Sequence, residues 1–370
     1  MTEDARYSIF LATAPGLEAA LAQEAAARGF AEPRAVAGGV EVAGGWADVW
    51  RANLELRGAG RVLVRLGAFR AMHLAQLDKR ARKFPWGDVL RRDVPVRVEV
   101  TCRKSKIYHA KAAAERVERA LVEELGVTLS PEAELVVKVR IEDDLCTISV
   151  DTSGAALHRR GHKEFVGKAP MRENLAALFL AECGFDGTGP VVDPMCGSGT
   201  FVIEAAEVSA GMQPGRSRRF AFEDLASFDA GAFAAMKRDV TAEGPVWFFG
   251  YDRDDGAIRG AQANAERAGV SGVTAFARAA ISDLQPPEGP PGLVMVNPPY
   301  GARVGNRKLL FSLYGTLGKV LAERFSGWRV GLVTSDAGLA KATGLPWVPQ
   351  GRAVSFGGLK VHLWRTDALP

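Results

Sequence analysis

Residues 292–300 constrain this chain most. Gly292-Leu-Val-Met-Val296 is an unbroken apolar run, the pattern of a strand buried on both faces and therefore of a sheet covered by helices on two sides. Asn297-Pro298-Pro299-Tyr300 ends it abruptly. Proline fixes φ and removes a donor, so the two prolines stop the ladder and hold the backbone in one shape. In that shape the Asn297 side-chain oxygen and a neighbouring backbone carbonyl can converge as two acceptors, which suits a planar –NH2. Tyr300 offers a flat face for a stacked base. An exocyclic amine is a poor nucleophile because its lone pair is conjugated into the ring. Two acceptors drawing on its hydrogens favour the pyramidal geometry that frees the lone pair, without a charged base. Taken alone, the tetrapeptide also reads as a strand-ending loop with Tyr300 as packing.

At 370 residues the chain has room for two or three domains. No apolar run approaches the ~20 residues that cross a bilayer. The start, Met1-Thr-Glu-Asp-Ala-Arg6, lacks the basic and apolar regions of a signal peptide. Cys102, Cys146, Cys183 and Cys196 are scattered and form no C-x-x-C pair. This argues against a structural metal site and against a disulfide framework, and points to the cytoplasm. Net charge is only +4, but between Arg51 and Ala120 eighteen Lys/Arg stand against seven Asp/Glu. A basic half joined to a near-neutral one suggests a polyanion for the first, the plainer alternative being ordinary solvated helices.

Taken in order, residues 7–14 read as a strand and Pro15–Arg28 as a helix stopped by Gly29. A strand pair around residues 38–42, a helix from about Ala47, a strand at Arg61–Leu66 and a helix from about Leu74 follow. This β-α-β-β-α-β-like order suggests a ferredoxin-like unit. A second unit opens with a strand at Pro95–Val100, a helix at Ala110–Leu125 and two strands at Ala133–Ile141 and Leu145–Asp151. Between its first strand and helix lie Arg103, Lys104, Lys106, Tyr108, His109 and Lys111. Cations interleaved with an aromatic and a histidine suit RNA phosphates and an exposed base or ribose. His109 by itself reads as a hydrogen-bonded structural group sooner than as a catalyst. Arg159, Arg160 and Lys163, in the connection to the second half, extend the basic face or form a charged linker.

Gly189-Pro-Val-Val-Asp193 is a strand, followed by Pro194-Met-Cys-Gly-Ser-Gly-Thr200 and a helix at Phe201–Ala210. An acid at the strand end, two glycines that allow close approach, and an open helix start make a nucleotide-type cleft. No Lys-Ser/Thr follows the glycines, so the loop is not a P-loop. It is not G-x-G-x-x-G either. Asp193 would repel a pyrophosphate and suits a ligand with a cationic amine, such as S-adenosylmethionine, whose carboxylate would take the helix end. Met195, Gly197, Gly199 and Thr200 are the loop's candidate contacts. The strand Val246–Tyr251 is closed by Asp252, placed to accept two ribose hydroxyls. Asp283, after the strand at Val273–Ala277, is the carboxylate placed for the adenine amine, or a turn cap. The Asn297 strand is then the fourth. The helix Lys308–Phe325, the strand Trp328–Thr334 and a pair at Val354–Phe356 and Leu359–Trp364 complete a parallel sheet with an antiparallel end.

Asp193-Pro-Met-Cys-Gly-Ser-Gly-Thr200, Gly250-Tyr-Asp252 and Asn297-Pro-Pro-Tyr-Gly301 resemble the class I S-adenosylmethionine-dependent methyltransferases that act on amino nitrogens. Ser105-Lys-Ile-Tyr-His109 and Asp151-Thr-Ser-Gly154 through Leu157-His-Arg-Arg-Gly161 resemble a THUMP domain behind a ferredoxin-like module. Lys168-Ala-Pro-Met-Arg-Glu173 and the long 211–244 insertion, with Phe220-Ala-Phe-Glu223, fit the same pattern. Together they resemble the bacterial family that makes N2-methylguanosine in 23S rRNA, with a sister group acting on tRNA.

The resemblance implies an α/β chain of three parts. They are a ferredoxin-like domain (1–90), an RNA-binding THUMP domain (91–165) and a Rossmann-like methyltransferase domain with a seven-stranded, mostly parallel sheet (166–370). It implies Asp193, Gly197 and Gly199 around the methionine end of S-adenosylmethionine and Asp252 on the ribose. Asn297 and Pro298 would hold the target amine, with Asn297 also near the cofactor. Two departures stand out. Ala279-Ala280 occupies the place of the family's acid in the third-strand loop, and no second methyltransferase is expected after Pro370. Competing readings are an adenine-N6 DNA methyltransferase, a protein glutamine methyltransferase and a non-catalytic RNA-binding assembly factor. A pyrimidine-C5 mechanism through Cys196 is disfavoured because that residue lies in the cofactor loop.

Overall fold

The computed structural model describes residues 6–167, 170–300, 307–349 and 351–370. Lys168, Ala169 and Gly301, each part of a motif above, lie outside the described residues. The first half runs β1 (Tyr7–Ala12), α1 (Glu18–Ala27), β2 (Ala31–Val36), β3 (Gly39–Gly44), α2 (Trp46–Glu55), β4 (Arg61–Arg70), α3 (Leu74–Arg82), β5 (Val96–Arg103), α4 (Ala110–Leu125), β6 (Leu135–Glu142) and β7 (Leu145–Asp151). The second runs α5 (Glu173–Glu182), β8 (Val191–Asp193), α6 (Thr200–Ser209), α7 (Ala230–Met236), β9 (Phe248–Asp252), α8 (Asp255–Ala268), β10 (Thr274–Arg278), β11 (Leu293–Val296), α9 (Arg307–Arg324), β12 (Arg329–Thr334), α10 (Ala337–Ala342), β13 (Val354–Phe356) and β14 (Leu359–Arg365). The chain divides into two compact units. One contains Ala22–Leu157 and Arg218–Lys237, with the N-terminal strand; the other contains Ala14–Leu21, His158–Ser217 and Arg238–Pro370.

In the first unit, alternation fixes register. Ile9 and Leu11 of β1 face Val42 and Val40 of β3 and Val64 and Val62 of β4, and all six are buried. A one-residue slip would turn this set to solvent. The β-α-β-β-α-β order is present, but it does not end in a sheet of its own. β4 also pairs with β7, from Leu63↔Asp151 to Arg70↔Leu145, so one seven-stranded sheet runs β2-β3-β1-β4-β7-β6-β5. At its centre the Asp151-Thr-Ser run is a buried lock rather than a surface motif. Arg61 Nη1 donates to the Asp151 carboxylate at 2.7 Å. Asn53 of α2 donates to Thr152 Oγ1 at 2.9 Å and accepts from Ser153 Oγ at 2.7 Å. Val62 N donates to Ser153 Oγ at 2.8 Å.

Residues 218–237, part of the insertion seen in the sequence, complete this unit. The Arg218 guanidinium donates to the carbonyls of Ser153, Ala155 and Ala156 at 2.9, 2.6 and 2.9 Å. Phe222 N donates to Thr152 O at 3.0 Å. Phe222 and Phe228 pack on Trp50 of α2 with ring centroids 6.3 and 5.9 Å away.

The second unit holds the expected seven-stranded sheet, in the order β10-β9-β8-β11-β12-β14-β13. The five strands from β10 to β12 are parallel, and β14 is antiparallel to both its neighbours. Gly357 and Gly358, with φ of 56° and 82°, make the tight turn between the last two strands. All four residues of β11 are buried. Val294 and Val296 share a core with Val330 and Leu332 of β12 and with Tyr314, Leu317 and Leu321 of α9. The strand order reverses between β8 and β11, the crevice where open α/β sheets bind ligands.

Candidate active site

β8, β9 and β11 end together at that crevice. Asp193, the last residue of β8, pairs with Gly250 of β9, and Val191 and Val192 pair with Leu293 and Val294 of β11. The two acids and the Asn-Pro-Pro-Tyr loop therefore leave three adjacent strands.

The glycine loop is held from several sides. Met195 N donates to Asp193 Oδ1 at 3.0 Å, and Gly197 N donates to Asp252 Oδ2 at 3.1 Å. Cys196 N donates to Tyr251 O at 2.8 Å. Gly197 and Gly199 have φ of 51° and 79°, backbone that side chains disfavour. A Cβ at Gly199 would also sit 3.1 Å from Ala261 and from the Phe276 ring. Gly199 is the N-cap of α6 and supplies no side-chain cap, so the first-turn N–H groups suit an anion. Asp193 is only 2% exposed. Burial, reinforced by the charge of Asp252, pushes its carboxyl up to about 8 against the Met195 hydrogen bond. A cationic group is its natural complement. Asp252 accepts one bond on each oxygen, from Gly197 N and from Asp254 N at 2.9 Å, and each oxygen keeps a second lone pair for a hydroxyl. This donor set fits a ligand with an amine, a carboxylate and a diol. Burial, with Asp193 and Asp252 adding to it, holds the Cys196 thiol well above its ordinary range, so it stays protonated and is no nucleophile.

On the neighbouring strand end Asn297 is half-buried and Pro298 buried. Tyr314 OH donates to Pro299 O at 3.3 Å, which ties the loop to α9. Burial pushes the half-buried Tyr300 phenol up to about 12, so it is neutral.

Further residues support this loop pair, and of these sequence reasoning missed Asn264 altogether and the inward role of Lys163. Gly250 has no room for a side chain, because a Cβ would lie 2.5 Å from Phe276 and 3.1 Å from Cys196 Sγ. Asn264 of α8 is wholly buried and donates to Ser198 O in the glycine loop at 3.1 Å. Lys163 Nζ donates to Thr200 Oγ1 and Met171 O, both at 2.8 Å, and pairs with Glu173 at 3.3 Å. Thr200 is thereby committed to the protein's own interior.

Asp283 follows β10, between Ile281 and Leu284, which pack in one cluster with Met195 and Tyr251. It is exposed in a turn that Arg324, in the last turn of α9, holds through the carbonyls of Ser282 and Leu284, and it accepts a bond from Ser282 Oγ. In the first unit Arg103, Lys104, Lys106, His109 and Lys111 are exposed around the start of α4. Tyr108 is 73% exposed and its ring lies 4.3 Å from that of His109. His109 thus belongs to a surface aromatic pair, not to an interior. Arg159 is exposed too. Arg160 corrects the sequence reading: it is 2% exposed and pairs with the buried Glu204 at 3.1 Å, so it cannot face a polyanion. The Lys163 side chain, 12% exposed, is also turned inward, onto Glu173. Among the described residues no helix is long and apolar enough to cross a membrane.

Three family models match the chain. The RMKL-like methyltransferase domain covers residues 160–361, the RlmL ferredoxin-like domain 8–63 and the THUMP domain 71–151. A ribosomal RNA large subunit methyltransferase K/L of Syntrophotalea carbinolica is 37% identical over 91% of this chain, which spans only 50% of that protein's length. The Synechocystis sp. protein slr0064, which carries an RNA methyltransferase name, is 30% identical over 91% of this chain and 90% of its own. Among solved structures, a predicted N6-adenine-specific DNA methylase from Listeria monocytogenes has a TM-score of 0.88 and 29% identity, covering 99% of this chain and 97% of its own. SMU.472, a putative methyltransferase solved with SAH, has a TM-score of 0.88 and 25% identity over 99% of both chains.

Proposed function

This chain belongs to the RMKL-like methyltransferase family and has S-adenosylmethionine as its cofactor, and from that we propose that it methylates the exocyclic N2 amine of a guanosine in RNA. The RNA of the reading is 23S rRNA, with tRNA as the runner-up. Residues 1–90 and 91–165 would be the ferredoxin-like and THUMP parts that hold the RNA, and residues 166–370 the part that carries the transfer. The observation that carries the proposal is the pairing of β8 with β11. It sets the cofactor loop and the Asn297-Pro298 acceptors at the ends of neighbouring parallel strands.

The bound cofactor supplies an electrophilic methyl group on a sulfonium. Asp193, Gly197, Gly199 and the start of α6 would hold its methionine end, and Asp252 its ribose. Asn297 Oδ1 and Pro298 O accept the two amine hydrogens and turn the nitrogen lone pair outward. Tyr300 gives the flipped base a neutral face to stack on. No residue need be charged for this work, because the acceptors are fixed before the amine arrives. The exposed cations and Tyr108–His109 pair at the start of α4 support RNA as the polyanion.

The test is Asn297→Ala, assayed by nucleoside mass spectrometry on 23S rRNA, tRNA and DNA incubated with the enzyme. Wild type should yield N2-methylguanosine in 23S rRNA, and the variant about 100-fold less with RNA binding retained. Undiminished product would overturn the acceptor mechanism. The likeness to the Listeria monocytogenes protein, named as a predicted adenine-N6 DNA methylase, keeps one second reading in play, and N6-methyladenine appearing in DNA would move the substrate there.

A further inference from the structure

Residues 163–165 are tied to the glycine loop directly through Lys163 and indirectly through Asn264 of α8. Asn264 is the hub. Its Oδ1 accepts from Glu164 N and Phe165 N, each at 3.2 Å, and from Arg267 Nη2 at 2.5 Å, while its Nδ2 donates to Phe165 O at 3.0 Å and to Ser198 O at 3.1 Å. Ser198 lies between the two left-handed glycines, and its carbonyl fixes the peptide plane that leads into Gly199. Two residues before Phe165, Lys163 Nζ holds Thr200 Oγ1 at the start of α6. The Phe165 ring seals the segment onto α8 over Gly260, where a Cβ would come within 2.3 Å of it. Asn264 and Gly260 are one helical turn apart on α8, so one helix face carries both contacts.

We propose that this strap is a positioning device for the cofactor loop, with Asn264 and Lys163 as positioning residues that set cofactor affinity without touching the reacting atoms. Only a side-chain amide can do what Asn264 does, since it must accept from two peptide N–H groups and donate to two carbonyls. An aspartate keeps the accepting half, with Arg267 still on it, but turns an oxygen instead of a donor toward the carbonyls of Phe165 and Ser198. The inference rests on the cofactor reading and not on the identity of the target base.

The experiment measures S-adenosylhomocysteine binding by calorimetry, with thermal melting alongside and no RNA present, so failure of the guanine reading leaves it untouched. Asn264→Asp should weaken S-adenosylhomocysteine at least tenfold. Gly260→Ala should weaken it about fivefold by lifting Phe165, at a melting temperature within a few degrees of wild type, since alanine suits a helix interior. In turnover with RNA both variants should raise KM for S-adenosylmethionine while kcat stays within about threefold, a split that general destabilisation does not produce. If Asn264→Asp does not fold, Gly260→Ala decides. Folded variants that bind S-adenosylhomocysteine within twofold of wild type would overturn the proposal.

Discussion

Asp193 should release a proton when the cofactor binds. Burial pushes its carboxyl up to about 8, from an ordinary value of 3.8. The sign follows from linkage. Between those values the folded state holds a proton that the unfolded chain has shed, so Asp193 costs stability progressively as pH rises from 3.8 towards 8. At about 1.4 kcal/mol per unit the full cost is on the order of 5–6 kcal/mol. A cationic amine against the carboxylate reverses the preference and drives the proton off. At pH 7 a carboxyl titrating near 8 is roughly nine-tenths protonated, so binding should release about 0.9 proton. Affinity should fall nearly tenfold for each unit below pH 7. The assay is calorimetry of S-adenosylhomocysteine in phosphate and in Tris at pH 7, where the observed enthalpy varies with buffer ionisation enthalpy in proportion to protons released. Asp193→Asn should abolish the dependence. A buffer-independent enthalpy in wild type, or an unchanged slope in Asp193→Asn, would refute the reasoning.

Two further substitutions probe the frame around the site. Gly250→Ala places a Cβ 2.5 Å from Phe276 and 3.1 Å from Cys196 Sγ, an overpacking that should cost about 1–3 kcal/mol. It should lower the melting temperature and, through Cys196, weaken S-adenosylhomocysteine, with an unshifted melt counting against the tight fit. Arg160→Ala leaves the buried Glu204 facing a cavity and should cost about 3–5 kcal/mol in chemical denaturation. The apolar double variant Arg160→Met with Glu204→Leu should recover much of that. RNA affinity unchanged in the double variant is the result expected of an interior arginine, and a clear loss would return Arg160 to the RNA face.

What the sequence made legible is what depends on near neighbours. The helix expected at 110–125 is Ala110–Leu125, closed by Gly126 at φ 77°. The strands ending in Asp193, Asp252 and Asn297 were readable because an apolar run followed by a turn former is a local signal. The supports of those strand ends were not readable, because each is half of a distant pair. Asn264 reaches Ser198 across 66 positions, Arg160 reaches Glu204 across 44 and Lys163 reaches Thr200 across 37. Before the partner is known, Arg159, Arg160 and Lys163 look like one charged run. Only the fold separates the exposed Arg159 from two cations whose charge is spent inside. The β4–β7 pairing was hidden likewise, since a strand's sequence states that it has a buried face but not which edge it joins. The same holds for Asp283. Its turn is held from a distance as well, by Arg324, 42 and 40 positions from the carbonyls of Ser282 and Leu284. Sequence therefore located the strand ends well and their restraints poorly. In a site that works by fixed geometry the restraints decide affinity, which is why substitutions on α8, at Asn264 and Gly260, and not in the glycine loop, separate cofactor binding from folding.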